Sequence, residues 1–312
     1  MPSCEPRHKF RRPAGKVTII DGMSKTPRSL SGKVAVVTGG ARGIGQALAR
    51  ALAREGVVVA IGDLDAAAAA AAAAELGNGS IGLALDVTDR PGFTAFLDEV
   101  ERRLGPLDIL VNNAGIMMVT PLDSESDASV TRQLEINLHA VIHGTQEAMR
   151  RMRPRGTGHI VNVASLAGRA AAPGLATYCA TKHGVVGLSE AVRGELRGTG
   201  VEVTVVMPGF AKTELASGVP DLRMVKRVTP EEIAAQTIEA LKFPRFDVWA
   251  PKRLAGVITV GAILPRKWRE AVSRAMNSNR VVATDPAARA GYEARAAASA
   301  PAADELLEET AA

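Results

Sequence analysis

Thr38-Gly39-Gly40-Ala41-Arg42-Gly43-Ile44-Gly45, the stretch TGGARGIG at 38–45, decides how this chain is read. An apolar run at 34–38 precedes it and has the composition of a buried strand. Residues 43–55 follow it with helical spacing of their apolar positions. Glycines between a strand and a helix let the backbone turn tightly and come close to a ligand. The N-terminus of the helix then offers unpaired N–H groups, and the positive end of its dipole, to an anion such as a pyrophosphate. The spacing T-G-x-x-x-G-x-G differs from the commoner G-x-G-x-x-G. Taken alone it also fits an ordinary glycine-rich turn.

Working outward, residues 57–62 read as a second strand with Asp63 at its end, twenty positions after Gly43. An acid there can accept hydrogen bonds from the ribose hydroxyls of NAD and would repel the additional phosphate of NADP. Helix capping is the other role for such an acid, and Asp65 already fills it. Arg42 argues the opposite way, because a guanidinium in this turn could pair with a 2′-phosphate. Asp63 outweighs it, and NAD is expected ahead of NADP.

Strand and helix patterns continue to alternate. Strands are expected at 81–85, 107–111, 159–164, 201–207 and 246–250. Helices are expected from Asp65 to Gly77, at 91–104, 126–152 and 176–197, and after the capping box Thr229-Pro230-Glu231-Glu232. The alanine run 66–74 is read as plain helix. Hydrophobic residues make up 46% of the 312-residue chain but aromatics only 3%, so Val, Leu, Ile and Ala must build the core. Repeated strand–helix units of that composition predict one doubly wound α/β domain over 30–250, a parallel sheet with helices on both faces.

The net charge of +5 is unevenly spread. Residues 1–33 carry eight Lys/Arg against two acids and 242–280 carry nine against two, whereas 34–241 carry 19 against 23. An acidic body excludes a basic nucleic-acid groove. Residues 1–29 read as a mobile basic leader, with Met23 an alternative start. Cys4 and Cys179 are expected as free thiols, which suits a reducing cytoplasm. Neither a secretory signal nor an apolar run of ~20 residues is evident. The five histidines are scattered, so no metal site is expected.

Tyr178 and Lys182 stand four apart in a helical pattern and share one face. A cation beside a phenol favours the phenolate, so the pair reads as an acid/base with its pKa lowered. Ser165 follows a strand, at the edge where open α/β sheets place ligands. Individually these are a loop serine and an amphipathic helix face. Together with the glycine turn they form a constellation.

These elements resemble the short-chain dehydrogenase/reductase family over 30–250. The match runs in order through TGGARGIG, Asp86-Val87, Asn112-Asn113-Ala114-Gly115, Asn137 in INLHAVIHG, Ser165 in NVASLAG, Tyr178-x-x-x-Lys182, and Pro208-Gly209 followed by Thr213. The resemblance implies a Rossmann-type fold and a nicotinamide cofactor. Gly39, Arg42, Gly43, Ile44 and Gly45 would hold its phosphates, and Asp86 and Val87 its adenine. Asn112, Asn113, Ala114 and Gly115 would line the cleft, Pro208 and Gly209 would also bind the cofactor, and Thr213 and the backbone near Ala211 would meet the carboxamide. It further implies that Asn137 positions a water in a proton relay through Lys182, the ribose and Tyr178. From the residues alone, Asn137 equally reads as a polar side chain kinking its helix. The implied reaction is hydride transfer between NAD and an apolar alcohol or carbonyl. The resemblance also implies pairing of the helices at 126–152 and 176–197 into a homodimer or homotetramer.

Three other readings remain open: an NADP-dependent ketoreductase acting, for example, on acyl thioesters, a silent nucleotide sensor, and a membrane-peripheral scaffold. Residues 214–228 read as a substrate lid. Met117 and Met118 suit either the pocket or the core. In the extension 251–284, an eleven-residue apolar run at 254–264 lies between tryptophans and basic residues. It suits pocket cover, a subunit contact or a peripheral membrane surface through 251–280. Residues 285–312, rich in alanine and acids, read as a frayed helix or an unstructured tail.

Overall fold

The computed structural model describes residues 26–220, 227–275, 282–297 and 299. Most of the expected leader, with Cys4 and Met23, lies outside the described residues. So do 221–226 of the expected lid and the end of the tail. The leader's last residues are tied down, since the Arg28 N–H donates to the Lys242 carbonyl at 2.9 Å.

Seven strands form one parallel sheet: β1 Val34–Thr38, β2 Val58–Asp63, β3 Ile81–Ala84, β4 Ile109–Asn112, β5 Gly158–Val163, β6 Val201–Pro208 and β7 Asp247–Ala250. Their order is β3-β2-β1-β4-β5-β6-β7. Direction along the sheet reverses between β1 and β4, which opens a crevice at the carboxyl ends of those strands. The strands are apolar throughout because both faces are covered. Val34 and Val36 enter one core with Phe93, Leu97, Met152 and Val185. Ala35 and Val37 enter the other with Leu48, Leu52, Ala69 and Ile233.

The helices that cover these faces start where the capping residues put them. On one face lie α1 Gly43–Arg54 and α2 Ala66–Leu76; on the other lies α3 Arg90–Leu104. Asp65 caps α2 by accepting the Ala68 N–H at 2.9 Å, and Gly77 ends it with φ of 64°. The helix expected over 126–152 is divided. Ser126 caps α4 Asp127–Leu134, a π turn spans Glu135–His139, and α5 Ala140–Met152 continues from it. Next come α6 Ala176–Glu195 and α7 Pro230–Lys242, the latter with the full Thr229/Glu232 capping box.

Beyond β7 the chain forms α8 Leu254–Ile263, α9 Arg266–Ala275 and α10 Pro286–Ala297. Leu254 is buried, while Val260 and Trp268 are exposed. No described helix is long and apolar enough to cross a membrane. Of the frayed helix or unstructured tail expected after Asp285, a helix is what forms over Pro286–Ala297, so a disordered tail is corrected there. Asp285 caps α10 through the Ala287 and Ala288 N–H groups at 3.0 and 3.4 Å, and Arg289 and Ala296 are buried. Alanine-rich composition suggested disorder, but one capped face with a large polar anchor suffices to seat the helix.

The close seat of α2 on the sheet depends on small residues. A Cβ on Gly82 would overlap the Ala69 carbonyl. Gly82→Ala should therefore push α2 from β3 and cost about 1–3 kcal/mol. Gly194, at the exposed end of α6, has open space for a Cβ. Gly194→Ala should stabilise by roughly 0.5–1 kcal/mol. Thermal or urea unfolding of the two variants, expected to move in opposite directions, checks the packing.

Candidate active site

The crevice between β1 and β4 is held by hydrogen bonds. Thr38 Oγ1 accepts the Asn113 and Ala114 N–H groups at 3.0 and 3.1 Å. The Asn113 side-chain amide donates to the Thr38 and Gly39 carbonyls at 2.9 and 3.0 Å. A Cβ on Gly39 would lie 2.9 Å from Ala114 Cα, and one on Gly45 would overlap the Gly39 carbonyl. Gly39 and Gly43 have φ of 61° and 56°, so both glycines are needed for conformation as well as space. No side chain caps the α1 N-terminus that begins beyond Arg42. Gly43, Ile44 and Gly45 of its first turn line a cavity, and a first turn with unpaired N–H groups there fits the phosphates of a dinucleotide.

Asp63 ends β2 at the cavity wall. Its carboxylate accepts the Ala41 N–H at 3.0 Å and the Asp65 N–H at 3.2 Å. Arg42 pairs with Asp65 at 2.6 Å, so the cap residue also occupies the one cation of the turn. Asp86 and Val87 follow β3 and do not line the cavity. Asp86 accepts the Thr88 N–H and hydroxyl at 2.8 and 2.7 Å, and Val87 is buried in the core. Asn113, Ala114 and Gly115 line the cavity, but Asn112 does not. The Asn112 amide is buried and donates to Asn162 at 2.9 Å, because its alternate position on the strand points inward. On the far wall lie Pro208, Gly209, Ala211 and Thr213. Thr213 Cγ2 stands 3.5 Å from where a Gly43 Cβ would be, so this loop meets the glycine turn across the crevice.

Ser165 follows β5 and accepts the Ala167 N–H at 3.1 Å. The Tyr178 phenol comes from α6 to the same cavity wall, near enough for the Ser165 hydroxyl to favour its ionised form. One turn further on, Lys182 is buried and donates to the Val163 carbonyl at 3.0 Å. Its ammonium lies 5.8 Å from the Tyr178 ring centre. The expected lowering of the phenol's pKa is corrected here. Burial pushes Tyr178 up, more than the neighbouring Ser165 hydroxyl pulls it down, and burial also pulls Lys182 down to about 8. At this distance, with the ammonium bonded elsewhere, desolvation outweighs charge.

Asn137 occupies the π turn, where the extra residue aims its amide at the strand-end loop. It accepts the Ile116 N–H and donates to the Ile116 carbonyl, both at 2.8 Å. A Cβ on Gly115 would lie 3.0 Å from the Asn137 oxygen and 3.5 Å from Lys182 Nζ, so these groups border one small space.

The whole cavity measures about 2440 Å³. That exceeds the ~300–1,000 Å³ of a single-ligand pocket, so it has room for two molecules side by side. Met117 lines it and packs with Leu175, Tyr178 and Val219, whereas Met118 packs against the main core. Of the extension, Leu254, Ile258 and Leu264 reach the cavity. The sequence reading missed Tyr292 and Arg295, both on the cavity wall from α10. The signal for that helix was present in Asp285-Pro286, an N-cap followed by proline in the first turn.

Asn137→Ala should leave the buried Ile116 N–H and carbonyl unpartnered. The expected cost is about 1–3 kcal/mol of unfolding free energy, measured by denaturant titration.

Comparison with known proteins agrees with this geometry. Residues 33–222 match the family model described as short chain dehydrogenase. The chain is 37% identical over 244 residues to a cis-4-hydroxycyclohexanecarboxylate dehydrogenase of Sinomonas cyclohexanicum, covering 74% of this chain and 94% of that protein. It is 35% identical over 255 residues to a glycine betaine reductase of Emericella nidulans, covering 76% of this chain but only 20% of that much longer protein. A solved short chain dehydrogenase/reductase of Burkholderia phymatum, in complex with NAD, superposes with a TM-score of 0.69 at 27% identity, over 74% of this chain and 93% of that one. With the glycine turn, the Asn, Ser, Tyr and Lys positions and the sheet order all in place, the chain belongs to the short-chain dehydrogenase family of oxidoreductases.

Proposed function

We propose that this protein is an NAD-dependent oxidoreductase that interconverts an apolar alcohol and its carbonyl, with Tyr178 as the acid/base. The observation that carries this reading is the Tyr178–Ser165 pair on the wall of the same cavity as the uncapped α1 N-terminus. When bound, the nicotinamide accepts or supplies the hydride at the substrate carbon. Tyr178 takes the hydroxyl proton in oxidation and returns it to the carbonyl oxygen in reduction. Ser165 holds that oxygen as charge develops on it. Lys182, with a pKa of about 8, keeps its proton at neutral pH and places positive charge on the Tyr178 side of the cavity. The shared space of Asn137, Gly115 and Lys182 supports a proton relay ending at Lys182.

The preference for NAD is supported by Asp63 at the end of β2 and by the engagement of Arg42 with Asp65. A carboxylate there would meet the 2′-phosphate of NADP as a like charge. The apolar substrate is supported by Met117, Leu175, Phe210, Leu215 and Ile258 on the lining. The Sinomonas relative, named for a ring alcohol, supports a secondary alcohol as the reacting group.

Tyr178→Phe keeps the ring and removes the transferred proton. Turnover of every alcohol in a panel should fall by at least ~10²-fold, while NADH binding followed by fluorescence changes little. Near-normal turnover would sink the mechanism. The unaltered protein should also use NAD in preference to NADP, and Asp63→Ala should narrow that gap in kcat/KM. Equal use of NADP by the unaltered protein would show that Asp63 does not set the choice.

A further inference from the structure

Helix α10 closes the substrate side of the cavity, and polar contacts hold it there. Arg289 is 1% exposed. Its guanidinium donates to the carbonyls of Met117, Ser217 and Leu215 at 2.7, 3.0 and 3.3 Å, and to Glu293 at 2.8 Å. It also lies 5.0 Å from the Tyr292 ring centre, stacking that ring into the cavity wall. One residue thus joins α10 to the loop after β4 and to the loop after β6. Arg295 adds a pair with Glu214 at 2.7 Å.

Tyr292 is the polar group that this clamp delivers. Its phenol oxygen accepts the Met117 N–H at 2.7 Å. No described residue accepts its proton, and its side chain borders the cavity shared with Tyr178. A phenol oxygen fixed by an incoming N–H still has one proton to give, and the direction of that proton is then restricted. Burial keeps the group protonated, with its pKa pushed up to about 12, despite the nearby Arg289 and Arg295 and with Glu293 acting against them. It is therefore a permanent donor at neutral pH, in a wall that is otherwise largely apolar.

Building on the reading of the site given above, we propose that Tyr292 is a substrate-binding residue. Its phenol donates a hydrogen bond to an oxygen of the substrate remote from the reacting carbon. The preferred substrates are then apolar secondary alcohols or ketones that carry a second acceptor oxygen. Tyr178 acts on one end and Tyr292 holds the other, while Arg289 acts only by positioning Tyr292.

The test compares matched pairs of alcohols with and without a distal carbonyl: cyclohexanol with 4-hydroxycyclohexanone, and a 3-hydroxysteroid with and without a 17-ketone. The unaltered protein should favour the two-oxygen member of a pair in kcat/KM. Tyr292→Phe keeps the ring under Arg289 and should cut that advantage by about 3- to 10-fold, through KM rather than kcat, with the one-oxygen member little changed. A merely structural tyrosine would move both members equally, and that result overturns the proposal. So does a native enzyme that turns over none of the two-oxygen members or prefers the one-oxygen ones, a measurement that needs no variant. Tyr178→Phe separates this outcome from failure of the underlying reading. If it abolishes turnover of all members while Tyr292→Phe leaves the ratio unchanged, only the role of Tyr292 is lost. If it leaves turnover intact, the assignment of the acid/base is lost as well.

Discussion

The buried hydroxyl of Thr38 joins the two halves of the sheet where their order reverses. At that point β1 and β4 are neighbours, but their loops depart in opposite directions, and nothing in the ladder holds them together beyond Val111. Thr38 Oγ1 donates to the Val111 carbonyl at 3.4 Å while it accepts two N–H groups from the β4 loop. The Asn113 amide returns two bonds to the β1 loop. These contacts fix the width of the crevice. They set the glycine turn against Ala114 at a distance no side chain would allow, and they aim the α1 N-terminus at the same gap. A helix end with open N–H groups binds an anion only if its surroundings hold it still.

A second buried network sets the opposite wall. Asn162 on β5 accepts from Asn112 on β4 and donates to Ser189 on α6 at 3.0 Å. The Thr145 hydroxyl on α5 reaches the same oxygen at 3.4 Å. Four elements are thereby registered to one another in a region where every polar atom is shielded from water, so a slip of any one would strand several groups. Helix α6 carries Tyr178 and Lys182, and their positions inherit that register. Their electrostatics follow from the same burial. A cation four residues from a phenol suggested a lowered pKa, but adjacency on a helix does not fix the direction of a flexible ammonium. Lys182 turns to the Val163 carbonyl, and desolvation then dominates both groups. Burial therefore favours the protonated phenol of Tyr178.

Much of this was legible in the sequence because the relevant signals are local. Strands buried on both faces read as unbroken apolar runs, and Asp65, Gly77 and Thr229-Pro230 mark helix ends by satisfying or terminating backbone groups. The glycine turn, Asp63, Ser165, Tyr178 and Lys182 were found by spacing, and all five border the same cavity. What was missed depends on long-range partners. The two neighbouring methionines divide between pocket and core, which no periodicity in a loop could resolve. Asn137 was named through the family resemblance and as a kinking residue, while the π turn that holds it leaves no pattern in the sequence. The α10 helix was misread because alanine, glycine and charge give no apolar stripe.

That last misreading points to how the helix is specified. Over Pro286–Ala297 the residues turned inward are Arg289, Tyr292 and Ala296, at spacings of three and four, which makes one face of a helix. Alanine at the other positions can be packed almost equally well in several registers, so apolar contact alone would leave the helix free to slide. A guanidinium has five donors in a fixed fork, and here it finds carbonyls on two separate loops and a carboxylate one turn along its own helix. Moving the helix by one residue would bury that charge without partners, a penalty of several kcal/mol. Burying an arginine adds little net stability compared with an apolar side chain of equal size, yet it rejects the wrong registers. The outcome is a cap of nearly featureless composition that presents one phenol at a defined place in the cavity wall.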